Sequence, residues 1–428
     1  GWGIVRVLDK ETADLKPLPR GTNPLGIPAT PSSVCPADAP VKSFNVVALD
    51  RPMKLNPKAP DAIEVDFERK IEMTMPEGKI FALESEATTV ASGLTPNPLT
   101  LRVNLGDCIK VSLKNKMKAS RASFFAPGLA FDPKDSQGLN VGNNGGDQTI
   151  GAGESRTYTY YAHPSNKETT SLVWDGGNIV LNPRNGLYGA IVVGPKGSQY
   201  RDPVTGADVS QKNTWRADVI VDTSLSENAG KRNYRDVALF FQDEDNIIGT
   251  AFMPYVQNVA GLTSVNYRAE PYKFREEQGC SLGKIFQPCA VDKPEDPVTP
   301  LIEAHAGDAV RIHVIGANSE QNGMFGVEGH EWPIEPYMPG ADMISVVEYA
   351  GSEVLDVFLR GGAGGPYRQV GDFVWSNARL PYTQSGQWGY LRVLPAGDSR
   401  IQPLGVAGMG AKQAEVEPAV KAIPTAMK

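Results

Sequence analysis

Histidine and cysteine are the side chains of this sequence that could hold a transition metal, and the chain has four of each. The histidines are His163, His305, His313 and His330, and the cysteines are Cys35, Cys108, Cys280 and Cys289. No cysteine lies near a histidine in the sequence. Because a blue copper centre needs a thiolate and two imidazoles around one ion, with a weak axial sulfur, this spacing argues against a copper site within the chain.

Three of the histidines have ordinary structural interpretations. His313 alternates with Ile312 and Val314, which places it on the outer face of a strand. His305 precedes a tight Gly-Asp turn and His163 precedes a proline in a loop, positions that are typical of surface or turn histidines. The acidic run 243–245 could bind calcium through its oxygens, but its composition is more typical of a solvated turn.

The cysteines predict two disulfides. Cys280 and Cys289 bracket a short loop without a neighbouring histidine, so we expect a local disulfide there. In the strand that begins at Cys108 the apolar residues alternate in such a way that Cys108 points outward. Its partner must then come from outside the sheet, and Cys35 lies in a Pro-rich arm that could cross that surface. Two disulfides imply an oxidising, extracytoplasmic compartment, whereas four reduced cysteines would not.

Composition limits the function classes. The chain has 428 residues, a net charge of -7 and a pI of about 5.4, without a block of clustered Lys and Arg, so nucleic acid is not an expected partner. No apolar run reaches the roughly 18 residues that cross a bilayer, and residues 1–8 do not have the pattern of a signal peptide. The 44 glycines and 34 prolines favour short strands joined by turns.

Internal repeats divide the chain into two domains. The stretches 1–8, 187–194 and 387–394 share an apolar strand pattern with Gly in register, and a Gly-Asp turn recurs at 106–107 and 307–308. We therefore predict a closing strand of a missing or partner domain at 1–8, a Pro-rich arm at 9–43 and one domain at 44–197. A linker at 198–214, a second domain at 215–396 and an extended tail at 397–428 complete the division.

The stretch from Gly371 to Leu394 resembles the last copper loop of multicopper oxidases, in which a Gly-Asp strand leads into His-Cys-His, a further His, an axial Met and a closing strand. The frame is similar, but none of the ligand residues is present. The five ligand positions hold Ser376, Asn377, Ala378, Tyr382 and Gln387.

Three further motif regions of that family resemble this chain in the same way, again without the ligands. Phe125 and Pro127 occupy the positions of His-x-His, and Asp175 and Gly177 those of His-Ser-His. The His-Pro-x-His-x-His-Gly-His region has Gly323, Gly326 and Glu328 at its three ligand positions. Only His330 is retained, and the family's histidine at that place is structural.

The resemblance, to ceruloplasmin-like and bacterial metal-oxidising multicopper oxidases, implies an all-β fold of two cupredoxin-like Greek-key sandwiches. It implies no copper, no other cofactor and no catalytic residue in this chain. We expect a structural or assembly part of a larger extracytoplasmic complex, as in the periplasmic cupredoxin-like protein of bacterial cell division. The alternative is a non-catalytic portion of an active enzyme, including one that oxidises metal ions, whose copper lies in missing domains or partner subunits. In either case the expected partners are other subunits or domains, and the terminal strand and tail would lie against them.

Overall fold

The computed structural model describes residues 3, 5, 34–66, 69–92, 96–245, 259–288 and 295–405. The predicted closing strand at 1–8 falls outside these residues except for positions 3 and 5, as do most of the Pro-rich arm, Cys289 and the tail beyond residue 405. No helix in the described part of the chain is long and apolar enough to cross a membrane.

Short strands make up most of the regular structure, which confirms the predicted all-β fold. The first twelve strands are β1 Val41–Asp50, β2 Met53–Lys54, β3 Ala62–Asp66, β4 Arg69–Glu72, β5 Thr74–Met75, β6 Lys79–Leu83, β7 Leu99–Asn104, β8 Cys108–Asn115, β9 Ala130–Phe131, β10 Ser155–Tyr161, β11 Thr170–Val173 and β12 Gly189–Gly194. The remaining strands are β13 Gln199–Arg201, β14 Arg216–Ile220, β15 Tyr234–Asp245, β16 Gly261–Val265, β17 Ile302–His305, β18 Val310–Asn318, β19 Gly323–Val327, β20 Trp332–Pro333, β21 Met343–Ile344, β22 Val346–Tyr349, β23 Val354–Phe358, β24 Gly371–Asn377 and β25 Trp388–Leu394.

Helices are few and short within the described residues. The α-helices are α1 Ala87–Ser92, α2 Leu181–Arg184, α3 Tyr272–Glu277 and α4 Leu380–Gln384. Single 3-10 turns are found at Glu84–Glu86, Pro164–Asn166, Ser226–Asn228, Leu282–Lys284 and Gly365–Tyr367.

Two sheets enclose the core of the first half. One has the order β6-β1-β8-β10-β9 and the other β11-β12-β7. In β8 the side chains of Ile109, Val111 and Leu113 are buried in this core, whereas Lys110 and Lys114 between them are exposed. The alternation therefore gives one buried and one outward face, as its period of two requires.

The second half repeats the arrangement on a larger scale. An eight-stranded sheet contains the path β13-β14-β15-β16-β4-β3, with β18 paired to β15 and β23 paired to β18, and it faces a sheet of order β17-β25-β24-β19-β22. Phe241 and Trp375 are fully buried between them with ring centroids 6.4 Å apart. Apolar side chains of both sheets thus form one second core.

The predicted repeat has a structural counterpart. The closing strand β12 runs parallel to β7, and the closing strand β25 runs parallel to β17. A turn follows β7 and an equivalent turn follows β17. The glycine in each turn has a positive φ, which is +88° at Gly106 and +89° at Gly307. The next aspartate, Asp107 or Asp308, accepts a backbone N–H bond from the residue three positions before it, at 2.8 and 2.9 Å. The two turns are therefore equivalent in geometry as well as in sequence.

The two halves share strands and core. The hairpin β3–β4 comes from the first half, yet β4 pairs in parallel with β16, with Ile71 opposite Gly261. Tyr188 lies against Phe240 and Tyr267 of the second half, at centroid distances of 6.0 and 5.3 Å. A buried apolar cluster therefore continues from one half into the other.

The arm disulfide is confirmed. Cys35 is bonded to Cys108, which faces away from the core of the first half and is covered by the end of the arm. Residue Val41, shortly after this bridge, begins the parallel pairing of β1 with β8 opposite Cys108. Cys280 is disulfide-bonded as well, while its expected partner Cys289 is outside the described residues.

Candidate functional site

The inward positions of the last motif region converge on one buried polar network in the second half. Asn377 ends β24 and is 2% exposed. Its amide nitrogen donates to Gln387 Oε1 at 2.7 Å and lies 3.2 Å from the Tyr349 hydroxyl, while its Oδ1 accepts the backbone N–H of Met324 at 3.0 Å. The position at which the resembling family has its cysteine ligand therefore carries an amide, and the donor and acceptor groups of this amide are all hydrogen-bonded.

Gln387, at the position of the axial ligand, is fully buried and bonded on both sides of its amide. Besides accepting from Asn377, it donates to the carbonyl of Gln242 at 2.8 Å. Because a buried amide without partners is costly, these bonds fix the orientation of the side chain. Gln387 thus joins the last loop to strand β15.

Tyr349 fills the space next to Gly323. A Cβ at position 323 would lie 2.2 Å from the Tyr349 hydroxyl oxygen, far inside van der Waals contact. The Tyr349 side chain is 1% exposed, and its ring centroid is 5.1 Å from that of Phe241. Any side chain at the first ligand position of this region would meet an aromatic ring that is already packed.

Tyr382 completes the network on the side of β15. It is 1% exposed, and its hydroxyl lies 3.5 Å from Asp243 Oδ2. Burial raises the pKa of Asp243 to about 7, although hydrogen bonds from the 319–321 segment oppose the shift. The prediction of a solvated turn at 243–245 is wrong, because this run is the end of β15 and Asp243 faces inward.

The other positions of these two motif regions share the outward face of the same sheet. Gly326 and Ser376 are direct partners across β19 and β24, and Ala378 follows two residues after Ser376. Glu328 is exposed and accepts the backbone N–H of Val374 at 3.3 Å. Of these four positions only Glu328 and Ser376 carry a polar side chain, so the four do not form a set of metal ligands.

In the first half, the two motif regions lie side by side. The backbones of Phe125 and Trp174 exchange hydrogen bonds of 2.9 Å in both directions. Asp175 is 1% exposed and accepts the Ser123 N–H at 2.6 Å and the Asn182 side-chain amide at 2.8 Å. Burial raises the pKa of Asp175 despite these bonds. The Asp175 carboxylate therefore holds together the segments around Ser123 and Asn182, and it fixes the loop that begins at residue 175.

The remaining two positions of the first half have no ligand function either. Pro127 is exposed, and a Cβ at Gly177 would lie 2.4 Å from the backbone of Arg121. The predicted structural role of His330 is confirmed, since it is bonded to the Glu328 carbonyl at 2.7 Å and accepts the Gly364 N–H at 3.0 Å. Burial lowers the pKa of His330, which favours the neutral ring that these two bonds require.

Sequence reasoning missed a buried ionic cluster between the halves. His313 Nε2 lies 2.8 Å from Asp236, and its Nδ1 lies 2.5 Å from Asp356 and 2.8 Å from Thr170 of the first half. Arg102, also of the first half, donates to Asp236 at 2.8 Å. In this cluster two cations face two carboxylates at almost complete burial.

The electrostatics of the cluster are mutually reinforcing. Burial lowers the pKa of His313, but Asp236 and then Asp356 outweigh it and raise that pKa to about 9. Burial raises the pKa of Asp236, but His313 and Arg102 outweigh it and hold that pKa well below its usual range. Ion pairs of this kind are stable only when every charge keeps its partner.

Two histidine predictions are therefore corrected. The outer face of β18 that carries His313 is covered by the first half, so His313 is 1% exposed rather than solvated. His305 does stand at the Gly-Asp turn, but it is buried, with its Nε2 2.8 Å from the Asp398 carbonyl. His163 is exposed, as expected. The available signal was that Arg102 and His313 both alternate with apolar residues, a pattern that a covered polar face also produces.

A second ionic group lies at the same junction. Glu168 of the first half is paired through one oxygen with Lys231 at 2.8 Å and through the other with Arg311 at 2.7 Å. Among the residues that the structure describes, no group of three or more His, Cys, Asp or Glu side chains is arranged to hold a metal ion.

No protein-family model and no curated protein sequence matches this chain. Among solved structures it is similar to a multicopper oxidase, with 16% identity, a TM-score of 0.46, and coverage of 83% of this chain and 89% of the other. It is also similar to the blue copper oxidase of Nitrosomonas europaea, with 15% identity, a TM-score of 0.48 and coverage of 82% and 86%. A third similar structure is the copper nitrite reductase of the same organism, with 16% identity and a TM-score of 0.47. That match covers 86% of this chain and 98% of the other.

Proposed function

We propose that this chain is a copper-free, non-catalytic part of a larger extracytoplasmic assembly. This proposal rests on the packing around four positions at which the resembling family has copper ligands. These positions are Gly323, Asn377, Tyr382 and Gln387. There, side-chain amides and phenols bond to one another and to the backbone, and Tyr349 occupies the space of a missing ligand. A site of this kind has a packed, polar interior that stabilises the sandwich and offers no open coordination position.

Exposed apolar residues support the assembly role. Ile179, Val180 and Leu181 are consecutive and 68%, 64% and 49% exposed, directly after the loop that Asp175 organises. On the second half, Met324 and Leu380 are exposed beside Ala378. Contiguous apolar residues on a soluble surface mark places where another protein surface packs. The two outward faces that carry the degenerate motif regions are therefore the proposed contact surfaces.

An oxidising compartment is supported by the cysteines. The Cys35–Cys108 disulfide joins two segments that are 73 residues apart, and Cys280 is disulfide-bonded too. Such bonds persist outside the cytosol. We therefore place the assembly in the periplasm, at the cell surface or in the secreted fraction.

Native mass spectrometry of the full chain, purified without denaturation, tests the assembly role. We expect a mass above that of one chain, and we expect Val180→Asp together with Leu181→Asp to shift the population to single chains. Val204→Asp, at a separate exposed apolar position, serves as the matched control and leaves the mass unchanged. A single-chain mass for the wild type contradicts the proposal. Copper in a purified assembly whose other chains hold it would favour the alternative, a non-catalytic portion of an active oxidase.

A further inference from the structure

A cleft of about 930 Å³ lies where the arm and the two halves of the molecule meet. Pro36 comes from the arm, Leu105 and Tyr161 from the first half, and Tyr337 from the second half. The volume lies within the range of pockets that enclose small organic molecules, and pockets of this kind often form at domain junctions. Tyrosine, leucine and proline side chains give the cleft an apolar lining.

The charged residues that line the cleft are three lysines and three carboxylates. Lys196 pairs with Glu227 at 2.9 Å, and both side chains are about half exposed. Lys231 and the adjacent Arg311 share the single carboxylate of Glu168. Lys167 also lines the cleft, where Asp38 is the remaining carboxylate. Lys196 and Lys231 are thus held in ion pairs, whereas Lys167 forms no salt bridge among the residues that the structure describes.

Lys167 has an unusual backbone conformation. Its φ is 56° and its ψ is -171°, a region that is essentially restricted to glycine because a Cβ is crowded there. Its ammonium nitrogen lies 5.6 Å from the centroid of the Tyr337 ring. The Tyr337 hydroxyl in turn donates to the Glu168 carbonyl at 2.8 Å, which fixes this ring beside the lysine. A strained lysine is therefore held over an aromatic ring at the wall of a cleft, where glycine would fit the backbone better.

We propose that this cleft binds a small organic anion. Its carboxylate or phosphate group pairs with the Lys167 ammonium, and its apolar or aromatic body packs on Tyr161 and Tyr337. The unfavourable backbone at Lys167 is explained by the binding role of its side chain, in agreement with the observation that backbone strain clusters at ligand sites. The Lys167 ammonium favours an anion over a neutral molecule of the same shape.

Lys167→Gly separates binding from stability, because it removes the ammonium and also the backbone strain. Calorimetric titration with phenyl phosphate is expected to give saturable 1:1 binding to the wild type. We expect at least tenfold weaker binding to Lys167→Gly, while its melting temperature is equal to or higher than that of the wild type. Lys114→Ala, which removes an exposed charge from the outer face of β8, is the matched control and retains wild-type affinity.

Two comparisons make the outcome decisive. Benzyl alcohol, which has the ring without the charge, is expected not to bind, and inorganic phosphate is expected to bind more weakly than phenyl phosphate. The proposal is overturned if phenyl phosphate does not bind saturably or binds Lys167→Gly as tightly as the wild type. It is also overturned if benzyl alcohol binds equally well. A fall in the melting temperature of Lys167→Gly without any loss of binding would assign Lys167 a purely structural role.

Discussion

At the level of single residues, Tyr349 explains why there is no void beside Gly323. Its ring lies where a side chain at position 323 would project, and its hydroxyl contacts the amide of Asn377. Aromatic packing and hydrogen bonding therefore fill this position. Since protein cores lose stability with every unfilled methylene-sized gap, this substitution maintains the packing of the second sandwich.

Copper ligands introduced at the inward positions are not expected to create a copper centre. The triple variant Asn377→Cys, Tyr382→His and Gln387→Met provides a thiol, one imidazole and a thioether, but position 323 remains blocked by the Tyr349 ring. We expect no blue absorption on titration with copper(II). A blue species with stoichiometric copper would contradict this. Adding Gly323→His and Tyr349→Ala opens the position, and blue colour in that variant alone would identify Tyr349 as the obstruction.

The charge of His313 predicts a dependence of stability on pH. Its pKa is raised to about 9, from 6.5 in the unfolded chain, so its contribution is complete below pH 6.5 and is lost as the pH rises through 9. In urea unfolding, the contribution of His313 to the free energy of unfolding should fall by on the order of 3 kcal/mol between pH 6.5 and pH 9.5. His313→Gln removes the titrating group and should lack this slope. Equal slopes in the two proteins would show that His313 is not charged in the folded state.

Sequence patterns predicted individual residues well where they depended on local geometry. The outward direction of Cys108 follows from strand alternation, and the bonding of His330 follows from its place in the motif. The environments of His313 and Asp243 could not be predicted in this way. Alternation tells which face of a strand a side chain lies on, but not whether another sheet or loop covers that face. Both residues lie on faces that are covered by distant segments.

At the level of elements, the closing strands show why glycine recurs in register. A Cβ on Gly389 would lie 2.4 Å from the Trp375 ring, and a Cβ on Gly189 would lie 2.6 Å from the Leu99 carbonyl oxygen. Each strand therefore approaches its neighbour more closely than any side chain permits. Glycine recurs in the two closing strands because the same close packing is required at both places.

Alanine at either glycine is expected to destabilise the protein. Because the ring of Trp375 is fully buried and cannot move freely, Gly389→Ala should lower the free energy of unfolding by about 1–3 kcal/mol, as overpacking does in other cores. Gly189→Ala should have an effect of similar size. Gly283→Ala, where an added methyl meets no atom within 4 Å, is the matched control. Thermal unfolding measures all three, and an unchanged melting temperature for Gly389→Ala would contradict the packing argument.

The types of the elements could be predicted from periodicity, but the exchange of strands between the halves could not. Ile63 and Val65 alternate with acidic residues, which indicates a strand at β3, but nothing in this alternation tells which sheet the strand joins. That choice depends on the apolar contacts of Ile63 and Ile71 with the second half. Partner choice over roughly 200 residues is a tertiary property rather than a local one.

At the level of the whole molecule, the two sandwiches are expected to unfold together. They share the hairpin β3–β4, the apolar cluster around Tyr188 and the ion pairs of His313. Differential scanning calorimetry should therefore show one transition, with equal calorimetric and van't Hoff enthalpies. Tyr188→Ala removes a fully buried ring at the junction and should cost about 3–5 kcal/mol, separating the transition into two. Two resolved transitions in the wild type would contradict the expected coupling.

The pairing of β4 with β16 also constrains the order in which the protein can be completed during synthesis. Ile71 emerges from the ribosome long before Gly261, its partner across that sheet. At translation rates of about 5–20 residues per second, the hairpin β3–β4 waits roughly 10–40 s for its neighbour. During this interval its buried face and one strand edge are available to other nascent chains. A chaperone that covers an unpaired β-edge during synthesis would therefore raise the yield of this protein, and slower translation would lower it.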